Sequence, residues 1–329
     1  MSATPTHRAI AVMALVPTLV ALALWAFAWP AARTSPRDLP IGVAGPASAV
    51  TQVEQRLEQR PDAFEVHRYT DEAAAREAIE DRVVYGAVVV TPQGPQLLTA
   101  SAASPVVAGL LREAVTAQAP AGEPVKVTDV VAAPAGDPRG SGLASSILPL
   151  ALAGVAAGVM VTVLGLRGSR AALALTGAAA LVGLTAAALT HSWLGLLSGN
   201  WWAEAGVLGL TVLAIAGAVA GFAALLGTRG IAVGSLLMVL IGNPFSGAAS
   251  APELLPDPAG MIGQWLPPGA GAQLLRSVSY FGGNGAGGAV LTLSLWAALG
   301  LAAVLAGGRS AQPATASQES QRPVPAPVG

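Results

Sequence analysis

Residues 143–190 read LASSILPLALAGVAAGVMVTVLGL-RGSR-AALALTGAAALVGLTAAALT, two uncharged apolar runs joined by the basic turn Arg167-Gly168-Ser169-Arg170. A hydrocarbon core needs roughly 20 apolar residues per spanning helix, and each run approaches that length. Arginines concentrated in the turn mark it as cytoplasmic, because basic residues are enriched in loops on that side. Working outward, Ala9–Trp29, Ala205–Gly227, Ile231–Gly242 with its flank, and Ala289–Gly307 are apolar too. With the N-terminus in the cytoplasm, Arg8, Arg167, Arg170, Arg229 and Arg309 all fall inside, and the opposite orientation puts all of them outside. The expectation is a membrane α-helical bundle of six spans with both termini cytoplasmic. The first run could instead be a signal peptide cleaved after Ala26-Phe27-Ala28. It is longer than a signal core, and Trp25 and Trp29 sit where an interfacial belt belongs, so an uncleaved anchor is expected. Pro17 should kink it.

Composition agrees. Hydrophobic residues make up 53% of the chain and charged residues 11%, and mean hydropathy is +0.61. A soluble domain carries about a quarter charged residues. Between Leu143 and Gly308 only Arg167, Arg170, Glu204, Arg229, Glu253, Asp257 and Arg276 are charged. Most other charges lie between Arg33 and Arg139, which points to a water-soluble domain held outside. A net charge of -1 gives no reason to expect nucleic acid. The absence of cysteine excludes disulfides, thiolate metal sites and cysteine nucleophiles. A disulfide-free outer domain points to a bacterial cell (plasma) membrane.

The chain therefore divides into a cytoplasmic N-terminus and first span (1–29), an extracytoplasmic α/β domain inserted between spans one and two (30–142), and spans two to five (143–242). An outer re-entrant segment (243–288), a sixth span (289–308) and a disordered cytoplasmic tail (309–329) follow. In the inserted domain, Leu39–Gly45, Phe64–Tyr69, Tyr85–Thr91, Gln96–Ser101 and Val125–Val131 read as strands. Ala47–Arg60, Glu72–Arg82 after the N-cap Asp71, and Ser104–Gln118 with Pro105 in its first turn read as helices. The order β-α-β-α-β-β-α-β implies a small α/β sandwich. His67 reads as a solvated strand histidine, and the mixed charges of 71–82 as a solvated helix face. No nucleophile elbow, zinc spacing or catalytic carboxylate pair stands out, so no enzyme and no cofactor or metal is expected.

In the bundle, Gly154 and Gly158, Gly217 and Gly221, and Gly230 and Gly234 have the four-residue spacing that lets helix backbones approach closely. His191, Trp193, Trp201, Trp202 and Glu204 fall in the connection between spans three and four and read as an interfacial belt. After span five, short apolar pieces alternate with breaks at Pro244, Pro252 and Pro267-Pro268. Helices too short to cross should dip in and return, lining a cavity, with Ser246 and Gln273 reachable from outside. Arg276 should face protein or the outer surface, held by a carboxylate or a carbonyl.

Asn243-Pro244-Phe245-Ser246-Gly247, Glu253-Leu254-Leu255-Pro256, Gln264-Trp265-Leu266-Pro267-Pro268-Gly269-Ala270 and Leu275-Arg276-Ser277-Val278-Ser279-Tyr280-Phe281 resemble the signature before the last span of type-2 ABC exporter permeases, closest to the YhgE/Pip-like branch. The layout of one span, a large outer α/β domain and five further spans is similar as well. The resemblance implies a permease-like subunit of an export system, a homo- or heterodimer in the lipid bilayer driven by a separate ABC ATPase. On it, Asn243, Pro244, Gly247, Trp265, Pro267, Pro268, Gly269, Arg276 and Tyr280 are the candidate pathway residues. The alternative is a non-transporting scaffold, receptor or secretion accessory presenting residues 30–142 to an envelope partner. No Gly-x-x-x-x-Gly-Lys-Ser/Thr loop exists here, and Gly283, Gly285 and Gly288 lack the βαβ context of a dinucleotide site and read as loop.

The topology has a direct check, since single cysteines enter a cysteine-free background. Gln93→Cys should react with a membrane-impermeant maleimide on intact cells, whereas Ser169→Cys and Ser317→Cys should not; labelling of Ser169→Cys from outside overturns the six-span reading.

Overall fold

The computed structural model describes residues 5–57, 59, 60, 62–118 and 125–310. Of the tail expected to be disordered, 309–329, residues 309 and 310 end the last helix and the rest lies outside the described residues. A long first helix, α1 (Pro5–Ala32), leads into a sheet domain in the order β1 (Leu39–Ala44), α2 (Ala47–Leu57), β2 (Phe64–Tyr69), α3 (Glu72–Glu80), β3 (Gly86–Thr91), β4 (Gly94–Thr99), α4 (Pro105–Gln118) and β5 (Lys126–Asp129).

The five strands form one mixed sheet in the order β2-β1-β3-β4-β5. β1 runs parallel to β2 and β3, β3 and β4 form an antiparallel hairpin, and β4 is parallel to β5. Alternation of side chains across the pleat divides the core. Ala87, Val89 and Leu98 face α3 through Ala75, Ala78 and Ile79, while Leu39, Ile41 and Leu97 face α4 and the end of α2 through Val107, Leu111 and Leu57. The local chemistry is legible at α3. The Asp71 side chain accepts from the N–H of Ala74 at 2.9 Å and opens the helix. At its far end, Arg82 N–H reaches Ile79 O and Val83 N–H reaches Ala78 O, the paired bonds of a Schellman ending. Arg82 takes the left-handed position of that motif, φ 61°, where glycine is usual.

The rest of the chain is helical. α5 (Ser141–Val163), α6 (Gly168–Ala187), α7 (Trp201–Leu226) and α8 (Thr228–Leu236) are followed by α9 (Ala259–Gln264), α10 (Pro267–Tyr280) and α11 (Gly287–Ser310). α6 and α8 each continue into a π-helical turn, Ala188–Trp193 and Leu237–Gly242. Among the described residues, five helices are long and apolar enough to cross a membrane: Ala9–Ala32, Ser141–Val163, Gly168–Trp193, Trp201–Leu226 and Gly287–Gly307. The chain is thus consistent with a multi-pass membrane protein. Thr228–Gly242, read from sequence as a further span with its flank, is apolar but shorter, about 20 Å along its axis.

α7 is the centre. Its apolar window is 78% buried inside the protein, against 6% for that of α1, which is attached mainly through the stacked rings of Trp25 and Trp29 set against Phe245. α5, α6, α8, α10 and α11 all pack on α7. Small residues make this possible. A Cβ on Gly154 would lie 2.7 Å from Ile215 Cβ, and one on Gly158 2.8 Å from Ala216 O. Gly221 faces Gly300 O at 3.1 Å and Gly234 faces Val219 Cα at 2.9 Å, while Gly230 is pressed against the Phe222 carbonyl. At Gly217 a Cβ would keep ordinary contact, 3.6 Å from Ala297 O; the crowded partner there is Gly300 of α11. Gly183 of α6 meets α7 at Ala205 and Gly209 in the same way, whereas Gly177 on the same helix has nothing within 4 Å.

This contrast supplies a controlled test. Gly183→Val should lower the thermal midpoint of the detergent-purified protein by the equivalent of about 1–3 kcal/mol of overpacking. Gly177→Val, with the same helix-propensity change and open space, should leave it nearly unmoved.

Candidate functional site

The segment between Gly242 and α11 brings most of the candidate pathway residues together. Asn243 O accepts the N–H and the hydroxyl of Ser246 in a 3₁₀ turn, Pro244–Ser246, with Pro244 at its start. Gly247 turns the chain back in the left-handed region at φ 67°, where a Cβ would come 2.7 Å from Pro252 N. The second 3₁₀ turn, Pro252–Leu254, then reaches the sheet domain. Ala251 and Leu254 are buried among Leu39, Ile41, Leu97, Val107 and Leu111, and the carbonyls of Glu253 and Leu254 accept from Arg37 and Ser35 backbone N–H groups at 2.9 and 3.0 Å. From there α9 runs away from the domain, the chain turns at Trp265-Leu266, and α10 returns to place Phe281 in the cluster on the α3 face of the sheet.

Two contacts locate the turn of this hairpin. Trp296 of α11 donates its indole N–H to Trp265 O at 2.8 Å, and Trp296 lies roughly 14 Å along α11 from Gly287. Gly271 in the first turns of α10 packs on Thr211, where a Cβ would come 2.5 Å from Thr211 Cγ2, and Thr211 lies roughly 15 Å along α7 from Trp201. The hairpin tip therefore sits beside the middles of two long apolar helices.

Three expectations meet the fold here. The chain does break here between two short helices, but at Trp265-Leu266: Pro267-Pro268-Gly269 form the first turn of α10, with the prolines at its N1 and N2 positions, where a missing N–H costs nothing. Gly269 lets that turn press on the Gly263 carbonyl of α9. Ser246 is 3% exposed, with its hydroxyl donating to Asn243 O, and is not reachable as expected; Gln273 lines a cleft. Gly283 and Gly285 lie in a loop that is pinned: Asn284 donates to Glu80 O and to Asp81 Oδ1 at 3.1 and 2.9 Å.

Where hairpin and sheet domain meet, the polar groups are few and mostly enclosed. Tyr85 donates its hydroxyl to Glu253 Oε2 at 2.8 Å. Burial, reinforced by the Glu253 charge, pushes the Tyr85 phenol above its ordinary range. Arg82 donates to Gln273 O at 3.2 Å and Gln273 Oε1 at 2.6 Å, with its guanidinium 5.2 Å from the centre of the Phe281 ring. Burial pushes the Arg82 guanidinium below its ordinary range. Arg276 is buried and donates to Ala248 O at 3.1 Å, a carbonyl and not a carboxylate. Tyr280, close by, donates to Leu196 O at 2.7 Å and ties α10 to the connection between α6 and α7. A cleft of about 520 Å³ opens at this junction, bounded by the sheet domain, the hairpin and the first turns of α11.

A fully buried carboxylate stands in the first turn of α7. Glu204 is 0% exposed and accepts from Gly199 N–H at 2.8 Å, with His191 Nδ1 2.7 Å from its other oxygen. Trp193 and Trp202 are exposed as a belt requires, but Glu204 is not a belt residue. The sequence held the signal for Glu204 and Glu253: a carboxylate among apolar helices needs a partner. It did not name the partners. Among the described residues no group of three or more His, Cys, Asp or Glu is placed to hold a metal ion. Compared with known proteins, the chain matches no family model, no curated protein and no solved structure.

The Tyr85–Glu253 bond is testable in isolation. Tyr85→Phe should cost about 1–3 kcal/mol of stability by stripping a donor from a half-buried carboxylate, read as a lower thermal midpoint. The double variant Tyr85→Phe/Glu253→Gln should lose less than the sum of the single changes.

Proposed function

We propose that the chain is a permease-like membrane subunit of an export system. In this reading it is a dimeric six-span protein of a bacterial cell membrane that works with a separate ABC ATPase, with the sheet domain on the outer face. The observation that carries the reading is the α9–α10 hairpin. Its tip lies roughly 14 Å along α11, about half of a 30 Å hydrocarbon core. Non-helical backbone at such a depth is tolerated only where its polar groups are satisfied within the protein; at this turn Leu266 is buried, the N–H groups of Trp265 and Leu266 reach Ile262 O and Gly263 O, and Trp265 O accepts from the Trp296 indole. A broken helix pair held inside a bundle and bolted to a domain suits the exit side of a pathway better than a surface anchor.

One observation favours the alternative of a non-transporting scaffold or receptor. α5 ends at Val163 and α6 begins at Gly168, so the basic turn between them carries no helix on which an ATPase could dock. Affinity purification of the cross-linked protein from native membranes separates the two. An ABC ATPase recovered in near-equal amount supports the permease. Its absence, with an envelope protein cross-linked to residues 30–142 instead, replaces the permease by the receptor.

A further inference from the structure

The cleft between the sheet domain and the hairpin has two unlike ends. One is polar, formed by Arg82, Gln273 and Glu253; the other runs along Thr292 and Leu291 of α11 to Trp265. Leu291 is 61% exposed and Trp265 65% exposed, so the apolar end is open sideways, along the flank of a helix apolar enough to cross a bilayer.

Arg82 is the informative residue. It occupies a left-handed position at φ 61°, a conformation that costs a non-glycine residue of order 1–3 kcal/mol. Glycine would end α3 without that strain; arginine at this position instead brings a guanidinium to the junction. Inside the protein it donates to the backbone and side-chain oxygens of Gln273 and lies against Phe281. Among the described residues neither Arg82 nor the neighbouring Arg276 is in an ion pair. Glu253 lines the same cleft and accepts from the Tyr85 hydroxyl, but the two guanidinium groups outnumber it, and a partly desolvated excess of positive charge is suited to a phosphate oxyanion. A free phosphate would use the polar end only; the open apolar flank gains stability from burying hydrocarbon.

We infer that this cleft binds an anionic amphiphile of the phospholipid class, its phosphate received by Arg82 beside Gln273 and its chain laid along Leu291 and Trp265. The site goes beyond the export reading and holds whether or not the protein transports. It assigns to the junction a lipid headgroup as a structural or regulatory ligand, taken from the same leaflet that the start of α11 enters.

Native mass spectrometry of the full chain in detergent, with phosphatidylglycerol or phosphatidylcholine added at equal concentration, tests it. The expected result is a phosphatidylglycerol adduct that survives activation which strips phosphatidylcholine. Arg82→Gly, which relieves the strained turn and so should not lower the thermal midpoint by more than the Gln273 bonds are worth, should reduce that adduct by about fivefold or more. Thr292→Trp, which fills the cleft without touching a charge, should reduce it as well and decides the matter if Arg82→Gly folds poorly. Arg167→Gln, far away in the basic turn, should not. Equal retention of the two lipids, or an adduct unchanged in both cleft variants, overturns the site; so does full displacement of the lipid by inorganic phosphate, which would show an anion site without an amphiphile. None of these outcomes bears on whether an ATPase co-purifies.

Discussion

The thinness of α7 is the constraint on which the remaining architecture depends. Five other helices lie against it, which a helix lined with large side chains could not allow. Its Gly209, Gly217 and Gly221 face Gly183 of α6 and Gly300 of α11 across backbone-to-backbone contacts. In hydrocarbon, helices gain little from burying apolar surface, so close van der Waals packing through small residues is the main attraction available. The same thinness makes room for α10. Gly271 can sit on Thr211 only because neither side presents bulk there, and the hairpin tip acquires its place beside the middle of the bundle as a consequence.

From that position the hairpin acts in two directions. Ala270, Leu274 and Leu275 of α10 belong to the cluster around α7, whereas Leu254 and Phe281 belong to the two sides of the sheet domain. On the sheet side, burying Leu254 or Phe281 contributes about 1.5–3 kcal/mol each, and the Tyr85–Glu253 and Arg82–Gln273 bonds fix the register of the joint. A displacement of the sheet domain therefore cannot leave the hairpin where it is, and a tilt of α10 must be felt at the sheet.

What the sequence made legible follows from how local each signal is. The strands and helices of the sheet domain could be placed within a few residues because Asp71, Pro105 and the Pro92-Gln93-Gly94 turn act on their own neighbours. The apolar helices were legible from length alone. The partners of Arg82, Tyr85 and Glu204 were not, since Tyr85 and Glu253 are brought together only by the completed fold. Nor were the two π-helical turns, which follow from packing rather than from residue preference. Gly183 and Gly300 escaped notice because neither has a glycine four residues away in sequence, although each is crowded by α7. At Pro267-Pro268 the signal was legible only in part: adjacent prolines mark a break, but they belong to the first helical turn that follows it.

The completion of the sheet domain by Ala251, Leu254 and Phe281 has a consequence for how the chain is made. At a synthesis rate of about 5–20 residues per second, the residues that close both sides of the sheet emerge on the order of ten seconds after its last strand. Until then the domain is a finished sheet with an unfinished floor, its apolar interior open toward the place where later helices will arrive. Its assembly is thus timed by the insertion of the bundle, and the newborn domain spends that interval as a client for whatever holds exposed apolar surface apart from its neighbours.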